Sequence, residues 1–376
     1  MSSLRLPAWL LAALLFAGCS RSSSTEAIVV GHLAPLSGPD KMLGEHARQG
    51  ILLAVEEING DTEKINGRPV EVHQADDCGP PAAAGNAAVR LVTVTRAVAL
   101  LGGLTSERAE QIARAAQPGV PLVTPSPLPA PLAAETAFST CPPPGQQGKA
   151  LARFSAEELK VKHVAVLLDS RSAVCAGVAA AFVKEFRAAE RQADQFRYEN
   201  DTGLADLAAR AAQAKPDAVL IATPVADFVK LREGLVKAEV KGPFLFGGEE
   251  SAWPVLFAEA GAGHGVYAVT TFAADGLTAR GQEFAKKYRE RFQEAPDLYA
   301  ASAYDGARLL FEAMRKAGPG KLERLREQFA GLENFDSLTG PLTIDKDDHG
   351  AHRPLFVVQR QEGEAKMVKC YDAKLP

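Results

Sequence analysis

The chain has 376 residues, of which 47% are apolar and 23% are charged, values typical of a globular protein with room for two domains. Its formal net charge of −4 is far from the strongly basic balance that nucleic-acid binding requires. We therefore expect no nucleic acid among its partners.

Residues 1–18 form a predicted export signal, because the single charge of Arg5 precedes an apolar run that ends in small residues. That run is shorter than the about 20 residues that a membrane-spanning helix needs. The segment from Leu15 to Cys19 resembles a bacterial lipobox, which implies cleavage before Cys19 and lipidation of its thiol. The alternative is an ordinary signal peptide with an incidental cysteine. Residues 19–26 indicate a flexible tether.

The first predicted element after the tether is a buried strand over residues 28–34, followed by a turn at 35–40 and a long amphipathic helix. One apolar stripe marks this helix: Ala47, Ile51, Ala54, Val55 and Ile58. In open α/β sheets, ligands bind beyond the carboxyl ends of strands. Ser37, which lies in the turn, is therefore a first candidate site residue.

Strands and helices alternate along the rest of the chain. Further strands are predicted at 68–75, 97–101, 121–124, 163–168, 195–198, 218–222, 244–246 and 266–270. The helices between them indicate an α/β fold with parallel sheets covered on both faces. A proline-rich crossover near 138–149 separates two similar series, which predicts two lobes with a cleft between them. Two helices over 277–317 and a hairpin over 354–371 follow.

Three motifs make the chain resemble the periplasmic leucine/isoleucine/valine-binding proteins, which are the type I solute-binding components of ABC importers. The motifs are G-H-L-A-P-L-S-G at 31–38, Y-A-A-S-A-Y-D-G at 299–306 and F-D-S-L-T-G-P at 335–341. The resemblance implies two doubly wound parallel-sheet lobes joined by three hinge crossings, the type I periplasmic-binding-protein fold. Lobe one would comprise 27–138 plus 272–345, and lobe two 139–271 plus 346–376.

The resemblance also implies a ligand site. In the family, the carboxylate of an α-amino acid meets hydroxyl and N–H groups of lobe one, and its ammonium meets a carboxylate of lobe two. Ser106 matches the carboxylate-binding serine, Glu249 the ammonium-binding acid, and Tyr299 a wall of the pocket. The plainer alternatives are a serine that only caps a helix, a solvated loop carboxylate and a core tyrosine.

Several pocket positions depart from the family pattern. Ser126 and Leu128 lie in T-P-S-P-L, where the family has S-P-x-x-T, so Leu128 replaces a threonine hydroxyl. Val174 stands where the family has a tyrosine, and Leu43 stands in place of an aromatic residue. A branched-chain or related amino acid remains the first expectation for the ligand, and a different small metabolite is the alternative.

Three function classes follow from these observations. The first is an exported, lipid-anchored binding protein that delivers its ligand to ABC permease subunits, and the second is a ligand sensor on the same fold. The third is a cell-envelope enzyme, which would need a reactive Cys175 or a metal at the acidic and histidine cluster of 345–352. Because no catalytic, dinucleotide or metal-binding spacing is present, we expect neither an enzyme nor a cofactor.

Cysteines other than Cys19 leave the disulfide pattern open. Cys78, Cys141, Cys175 and Cys370 allow three pairings in an oxidising compartment. In the family, a cysteine near position 78 often pairs with one in the loop before Ser106. Thr105 stands at that place, so the resemblance implies that this bridge is missing.

Overall fold

The computed structural model describes residues 26–373, except for 63, 79, 117–118, 129–136, 201–202, 253–255, 257–264, 319–321 and 362–363. The predicted signal segment and Cys19 lie outside the described residues, and so does most of the helix expected from about Trp253. Within the described ranges, no helix is both long enough and apolar enough to cross a membrane.

The first sheet has five parallel strands in the order β2-β1-β3-β4-β5. They are β1 (Ile28–Ala34), β2 (Val70–Asp76), β3 (Ala99–Gly102), β4 (Leu122–Thr124) and β5 (Ala137–Ser139). Every residue of β3, β4 and β5 is buried, as expected for parallel strands with helices on both faces. The helices between these strands are α1 (Lys41–Gly60), α2 (Pro81–Thr93) and α3 (Ser106–Ala115).

The second sheet has seven strands in the order β15-β14-β10-β9-β8-β6-β7, in which only β14 runs antiparallel to its neighbours, β10 and β15. The strands are β6 (His163–Asp169), β7 (Gln192–Tyr198), β8 (Ala218–Ala222), β9 (Phe244–Phe246), β10 (Val266–Thr270), β14 (Leu355–Gln361) and β15 (Glu364–Tyr371). Its helices are α4 (Pro144–Glu157), α5 (Ala173–Ala188), α6 (Leu204–Gln213) and α7 (Val225–Lys237).

The chain between β10 and β14 adds three helices and a small sheet. The helices are α8 (Ala279–Phe292), α9 (Leu298–Ala317) and α10 (Leu322–Ala330), and the sheet is β11 (Phe335–Ser337), β12 (Gly340–Ile344) and β13 (Ala351–His352). Helix α9 is buried along most of its length and packs against α1. The two backbones approach so closely that a Cβ at Gly50 would lie 2.1 Å from the carbonyl oxygen of Ala300.

Two clusters of apolar side chains cover the two faces of the first sheet. Val30 and Leu101 belong to the cluster that includes α1 and α9, whereas Leu33 and Leu100 belong to the cluster formed with α2 and α3. Neighbouring residues of one strand therefore face different helix layers, which is the side-chain alternation of a strand buried on both sides. Because the five strands are parallel, their carboxyl ends, and the loops that follow them, lie at one edge of the sheet.

The predicted order of elements is confirmed, including the two helices on either side of Pro296 and the antiparallel hairpin near the end of the chain. Four strands and one helix were not predicted from the sequence: β5, β11, β12, β13 and α10. The unpredicted strands have two to five residues each, so the periodicity of their residues gives only a weak signal. Strand β5 lies in the segment expected to be a crossover, where it pairs with β4.

Candidate functional site

A cleft of about 890 Å³ lies between loops of the two sheets. Its lining comes from the segments after β1 and β3 on one side and after β6, β8 and β9 on the other, together with the start of α9. The cleft therefore lies beyond the carboxyl ends of parallel strands, where ligands bind in open α/β sheets. Four of the sequence-predicted residues line it: Ser106, Val174, Glu249 and Tyr299.

Ser106 is the first residue of α3. It is therefore not the N-cap that the plainer alternative expected. The cap is Thr105, whose side chain accepts a hydrogen bond from the Arg108 N–H at 3.4 Å. The turn before it needs glycine, because Gly103 has a φ of +74° and a Cβ there would lie 2.7 Å from the Cα of Ala109. Since Thr105 caps the helix, the hydroxyl of Ser106 is available to the cleft.

Glu249 reaches across the cleft to Ser106, from which it is separated by 143 positions in the sequence. The Ser106 N–H donates to Oε2 of Glu249 at 3.2 Å, and the Ser106 hydroxyl donates to Oε1. Burial raises the pKa of the Glu249 carboxyl, while the two hydrogen bonds from Ser106 act in the opposite direction. The carboxylate is thus bound at the start of a helix, where N–H groups and the helix dipole favour negative charge.

Tyr299 and Val174 form apolar parts of the two walls. Tyr299 is 3% exposed, and its hydroxyl donates to the backbone carbonyl of Ser251 on the opposite side of the cleft. Its position follows from the start of α9, where Asp297 caps the helix by accepting from the Ala300 N–H at 2.9 Å. Val174 is 1% exposed and lies in the first turn of α5. The structure thus joins a phenol, an aliphatic side chain and the Ser106–Glu249 pair in one cleft.

The other three sequence-predicted residues are not among the described residues that line the cleft. Ser37 is exposed, and its hydroxyl donates to Asp76 at 2.6 Å. Ser126 is 1% exposed, and its hydroxyl donates at 2.9 Å to the carbonyl of Gly103, in the loop that leads to Ser106. Leu128 is buried in the apolar cluster with α2 and α3. Ser126 therefore supports the site loop from behind, and Leu128 belongs to the core.

Two ion pairs beside the cleft were not predicted from the sequence. Arg171, on the β6 side, holds Asp169 through a 2.8 Å contact, and Arg108, in the first turn of α3, lies 3.7 Å from the carboxylate of Asp77. Arg108 also donates to the Asp77 carbonyl at 3.3 Å. Each acid lies at or just past the end of a strand, and each arginine follows in a loop or helix start. The strand-end acids were visible in the sequence, but their partners were not.

Neither alternative enzyme site is supported. The segment 345–350 is a turn that leads into β13. In this turn, Asp345 accepts from the N–H groups of Asp347 and Asp348, and His349 stacks on Phe138 with ring centroids 4.7 Å apart. Among the described residues, no group of His, Cys, Asp and Glu is suited to hold a metal ion. Burial raises the pKa of Cys175 to about 12, so its thiol stays protonated and is a poor nucleophile.

Comparison with known proteins gives the same fold. The chain is 34% identical over 168 residues to Leu/Ile/Val-binding protein homolog 3 of Brucella melitensis, a match that covers 41% of this chain and 42% of that protein. The match thus spans less than half the length of this relative. A leucine-binding protein of Thermotoga maritima superposes with a TM-score of 0.80 at 22% identity, covering 92% of this chain and 99% of that one.

A second solved structure contains an aromatic ligand. It is an ABC-transporter solute-binding protein of R. palustris in complex with 4-hydroxybenzoate, with a TM-score of 0.77, 19% identity, and coverage of 92% of this chain and 97% of that one. These structural likenesses establish the type I periplasmic-binding-protein fold. The sequence profile described as "Periplasmic binding protein" matches residues 27–365. The chain therefore belongs to the periplasmic binding protein family, a family of binding proteins and not of enzymes.

Proposed function

We propose that this protein is the extracytoplasmic solute-binding component of an ABC importer and that its ligand is an α-amino acid, with a branched-chain amino acid as the first choice. The observation that carries the proposal is the meeting of Ser106 and Glu249 inside the cleft. One supplies hydrogen-bond donors at a helix start, and the other supplies a carboxylate. These are the two partners that a zwitterion requires.

The chemistry of the two groups is complementary to the two charges of an amino acid. The carboxylate of the ligand would accept from the Ser106 hydroxyl and N–H, at the positive end of the α3 dipole. The ammonium would pair with Glu249, whose carboxylate is otherwise costly to bury. Both charges must find partners, because an unpaired charge in a closed cleft costs more than the apolar contacts contribute.

The ligand side chain would rest on the apolar part of the cleft. Leu43, Leu104, Val174 and Tyr299 line it and offer aliphatic and aromatic surface. This surface suits a branched aliphatic side chain. The alternative ligand is an aromatic carboxylate, of the kind bound by the R. palustris protein. Glu249 argues against that alternative, because a simple carboxylate brings no positive charge to pair with it.

Two lobes closing on the ligand would account for the arrangement of the chain. We place lobe one at 27–138 plus 272–345 and lobe two at 139–271 plus 346–376. The two sheets support this division, because β1 to β4 and all but the last residue of β5 lie within the first range of lobe one, and strands β6 to β10, β14 and β15 lie within lobe two. Export through residues 1–18, lipidation at Cys19 and delivery to permease subunits belong to the same proposal.

Isothermal titration calorimetry with the purified protein tests the proposal, using the twenty amino acids and 4-hydroxybenzoate as ligands. We expect leucine, isoleucine or valine to bind and 4-hydroxybenzoate not to bind. In Glu249→Gln the affinity for the amino acid should fall by at least tenfold. Binding of 4-hydroxybenzoate without any amino acid would refute the amino-acid assignment, and unchanged affinity in Glu249→Gln would refute the ammonium role.

A further inference from the structure

We propose that Glu249 also occupies, in the ligand-free protein, the anion site that the carboxylate of the ligand takes, so that binding is an exchange of one carboxylate for another. This second role makes Glu249 a selectivity element that excludes carboxylates lacking an ammonium group. The inference rests on the proposed function for the identity of the ligand. The contact itself does not depend on that identity, because it is made within the protein.

The evidence is that one carboxylate uses both donors of Ser106. The hydroxyl donates to Oε1 of Glu249, and the N–H donates to Oε2. This pairing of two donors at a helix start with two oxygens is the way helix N-termini bind free anions. Since both donors are engaged, a second carboxylate can reach them only after the side chain of Glu249 has left.

The backbone around Glu249 is held on both sides, so the exchange is a movement of its side chain. Before it, a Cβ at Gly248 would lie 2.6 Å from the carbonyl oxygen of Thr223, which leaves no space for the loop to shift that way. After it, the buried carboxylate of Glu250 accepts from the hydroxyl of Thr271 at 2.6 Å. The carbonyl of Ser251 accepts from Tyr299.

The exchange separates two classes of ligand. When an amino acid enters, its carboxylate takes the Ser106 donors and its ammonium takes the displaced Glu249, so that positive and negative charges alternate. When a simple carboxylate enters, Glu249 is left charged, buried and beside a like charge. The loss of its hydrogen bonds and the repulsion both oppose binding. The wild-type protein should therefore select against molecules of similar shape that have no ammonium.

Leucine and 4-methylpentanoate test this inference, because the second compound is leucine without its amino group. Calorimetry of the wild type should detect leucine and no binding of 4-methylpentanoate. In Glu249→Gln, the affinity for leucine should fall, whereas the affinity for 4-methylpentanoate should rise at least tenfold above that of the wild type. Ser106→Ala removes the hydroxyl donor but keeps the charge of Glu249. This variant should have a lower affinity for leucine and no higher affinity for 4-methylpentanoate. Equal affinity of 4-methylpentanoate in the wild type and Glu249→Gln would overturn the inference, even if leucine behaves as expected.

A measurement without ligand tests the contact independently of the proposed function. Trp253 lies four positions after Glu249 and is the only tryptophan apart from Trp9 of the predicted signal. We expect Glu249→Ala to release the cross-cleft contact, which should shift the emission of Trp253 and increase the radius of gyration in small-angle scattering. The matched control Asp206→Asn removes a carboxylate whose side chain is 74% exposed and lies outside the described lining of the cleft, so it should change neither quantity.

The two lines of evidence fail in different ways. If the wild type binds no amino acid, the proposed function is wrong, whereas the inference still stands or falls with the ligand-free measurement. If Glu249→Ala and the wild type show the same emission and the same radius of gyration without ligand, the proposal that Glu249 occupies the anion site in the ligand-free protein is wrong. An amino acid that binds the wild type would in that case still support the proposed function.

Discussion

Arg353 and Asp305 form a buried ion pair between the segments that connect the two sheets. Nη2 of Arg353 lies 3.1 Å from Oδ2 of Asp305, and the two side chains are 3% and 1% exposed. The same guanidinium donates to the hydroxyl of Thr339 at 2.8 Å, and that hydroxyl donates to the carbonyl of Thr271. Burial raises the pKa of Asp305, while Arg353 opposes the rise. The guanidinium of Arg353 therefore connects α9, the turn between β11 and β12 and, through Thr339, the segment after β10.

Replacing Arg353 by methionine should destabilise the protein strongly. The variant keeps most of the side-chain volume but leaves Asp305 buried without its cation, a change that typically costs about 3–5 kcal/mol. Urea unfolding at pH 7, followed by circular dichroism, measures the free energy of unfolding. The matched control is Lys316→Met, which removes a surface pair to Glu312 at 3.4 Å and should cost less than about 0.5 kcal/mol. Similar losses in the two variants would contradict the prediction.

Asp77 should destabilise the protein at neutral pH. Its side chain is inaccessible to solvent, and neither carboxylate oxygen has a hydrogen-bond partner among the described residues. Burial raises its pKa to about 6, against the attraction of Arg108 and with further repulsion from Asp76 and Asp40. The folded state therefore holds this proton more tightly than the unfolded chain, in which the pKa is about 3.9. Stability contributed by the protonated form is lost as the pH rises from about 4 to about 6.

Asp77→Asn tests this sign. We expect the variant to be more stable than the wild type by about 1–3 kcal/mol at pH 7.5 and to lose that advantage near pH 4. Urea unfolding at several pH values measures the difference. Asp206→Asn changes a carboxylate whose side chain is 74% exposed, and it should give no comparable gain. A less stable Asp77→Asn at pH 7.5 would mean that Arg108 compensates the buried charge fully.

His32 should have the opposite effect on the pH dependence. It lies in β1, is 1% exposed, and has an Nδ1 atom with no partner in the described part of the chain. Burial, with repulsion from Arg48, lowers its pKa to about 4, below the about 6.5 of an unfolded chain. The unfolded state therefore binds the proton first. The contribution of neutral His32 to the free energy of unfolding is fully present above about pH 6.5 and is lost as the pH falls toward 4.

A non-titrating residue at position 32 isolates this contribution. Between pH 7 and pH 4, the free energy of unfolding of His32→Gln should fall by about 2–3 kcal/mol less than that of the wild type, whatever the stability of the variant at pH 7. The comparison needs the change with pH within each protein, because the substitution itself alters core packing. His73→Gln, at a half-exposed edge-strand position, is the control and should keep the wild-type slope. Parallel pH profiles for His32→Gln and the wild type would contradict the assignment.

Local sequence patterns predicted the elements better than the site. The periodicity of apolar residues, which differs between strands and helices, depends only on residues close together in the sequence. The order of the elements could therefore be predicted without knowing any long-range contact. Ser106 and Glu249 could be paired only through the family resemblance, because no local pattern fixes a contact across 143 positions. Ser37 and Ser126 were placed correctly near strand ends. Their hydroxyls turn to Asp76 and to the backbone of Gly103, a choice that depends on packing partners distant in the sequence.

The four cysteines in the described part of the chain are free thiols, and their reactivity should follow their burial. Cys141 and Cys175 are buried, and burial raises the pKa of both, whereas Cys370 is exposed and Cys78 is half-buried. We expect Cys370 and Cys78 to react with a thiol reagent in the folded protein. Cys141 and Cys175 should react only after unfolding. Recovery of fewer than four of these thiols in denaturant without reductant would reveal a disulfide and contradict the prediction.

The hydroxyl of Tyr299 should stabilise the ligand-bound form by linking the two sides of the cleft. It donates to the carbonyl of Ser251, close to Glu249, and a neutral hydrogen bond of this kind contributes about 1 kcal/mol. Tyr299→Phe should therefore bind leucine about fivefold more weakly. Most of the change should appear as faster dissociation in stopped-flow measurements, because without this bond the two sides of the cleft separate more readily.

Tyr288→Phe is the matched control for this prediction. Its hydroxyl donates to Gln49, so the same chemical group is lost from a contact between α8 and α1, outside the described lining of the cleft. We expect this variant to lose stability in urea but to keep the wild-type affinity and dissociation rate for leucine. If Tyr299→Phe instead matches Tyr288→Phe in both measurements, Tyr299 acts only as a core residue. A faster dissociation confined to Tyr299→Phe would show that its hydroxyl holds the ligand-bound cleft closed.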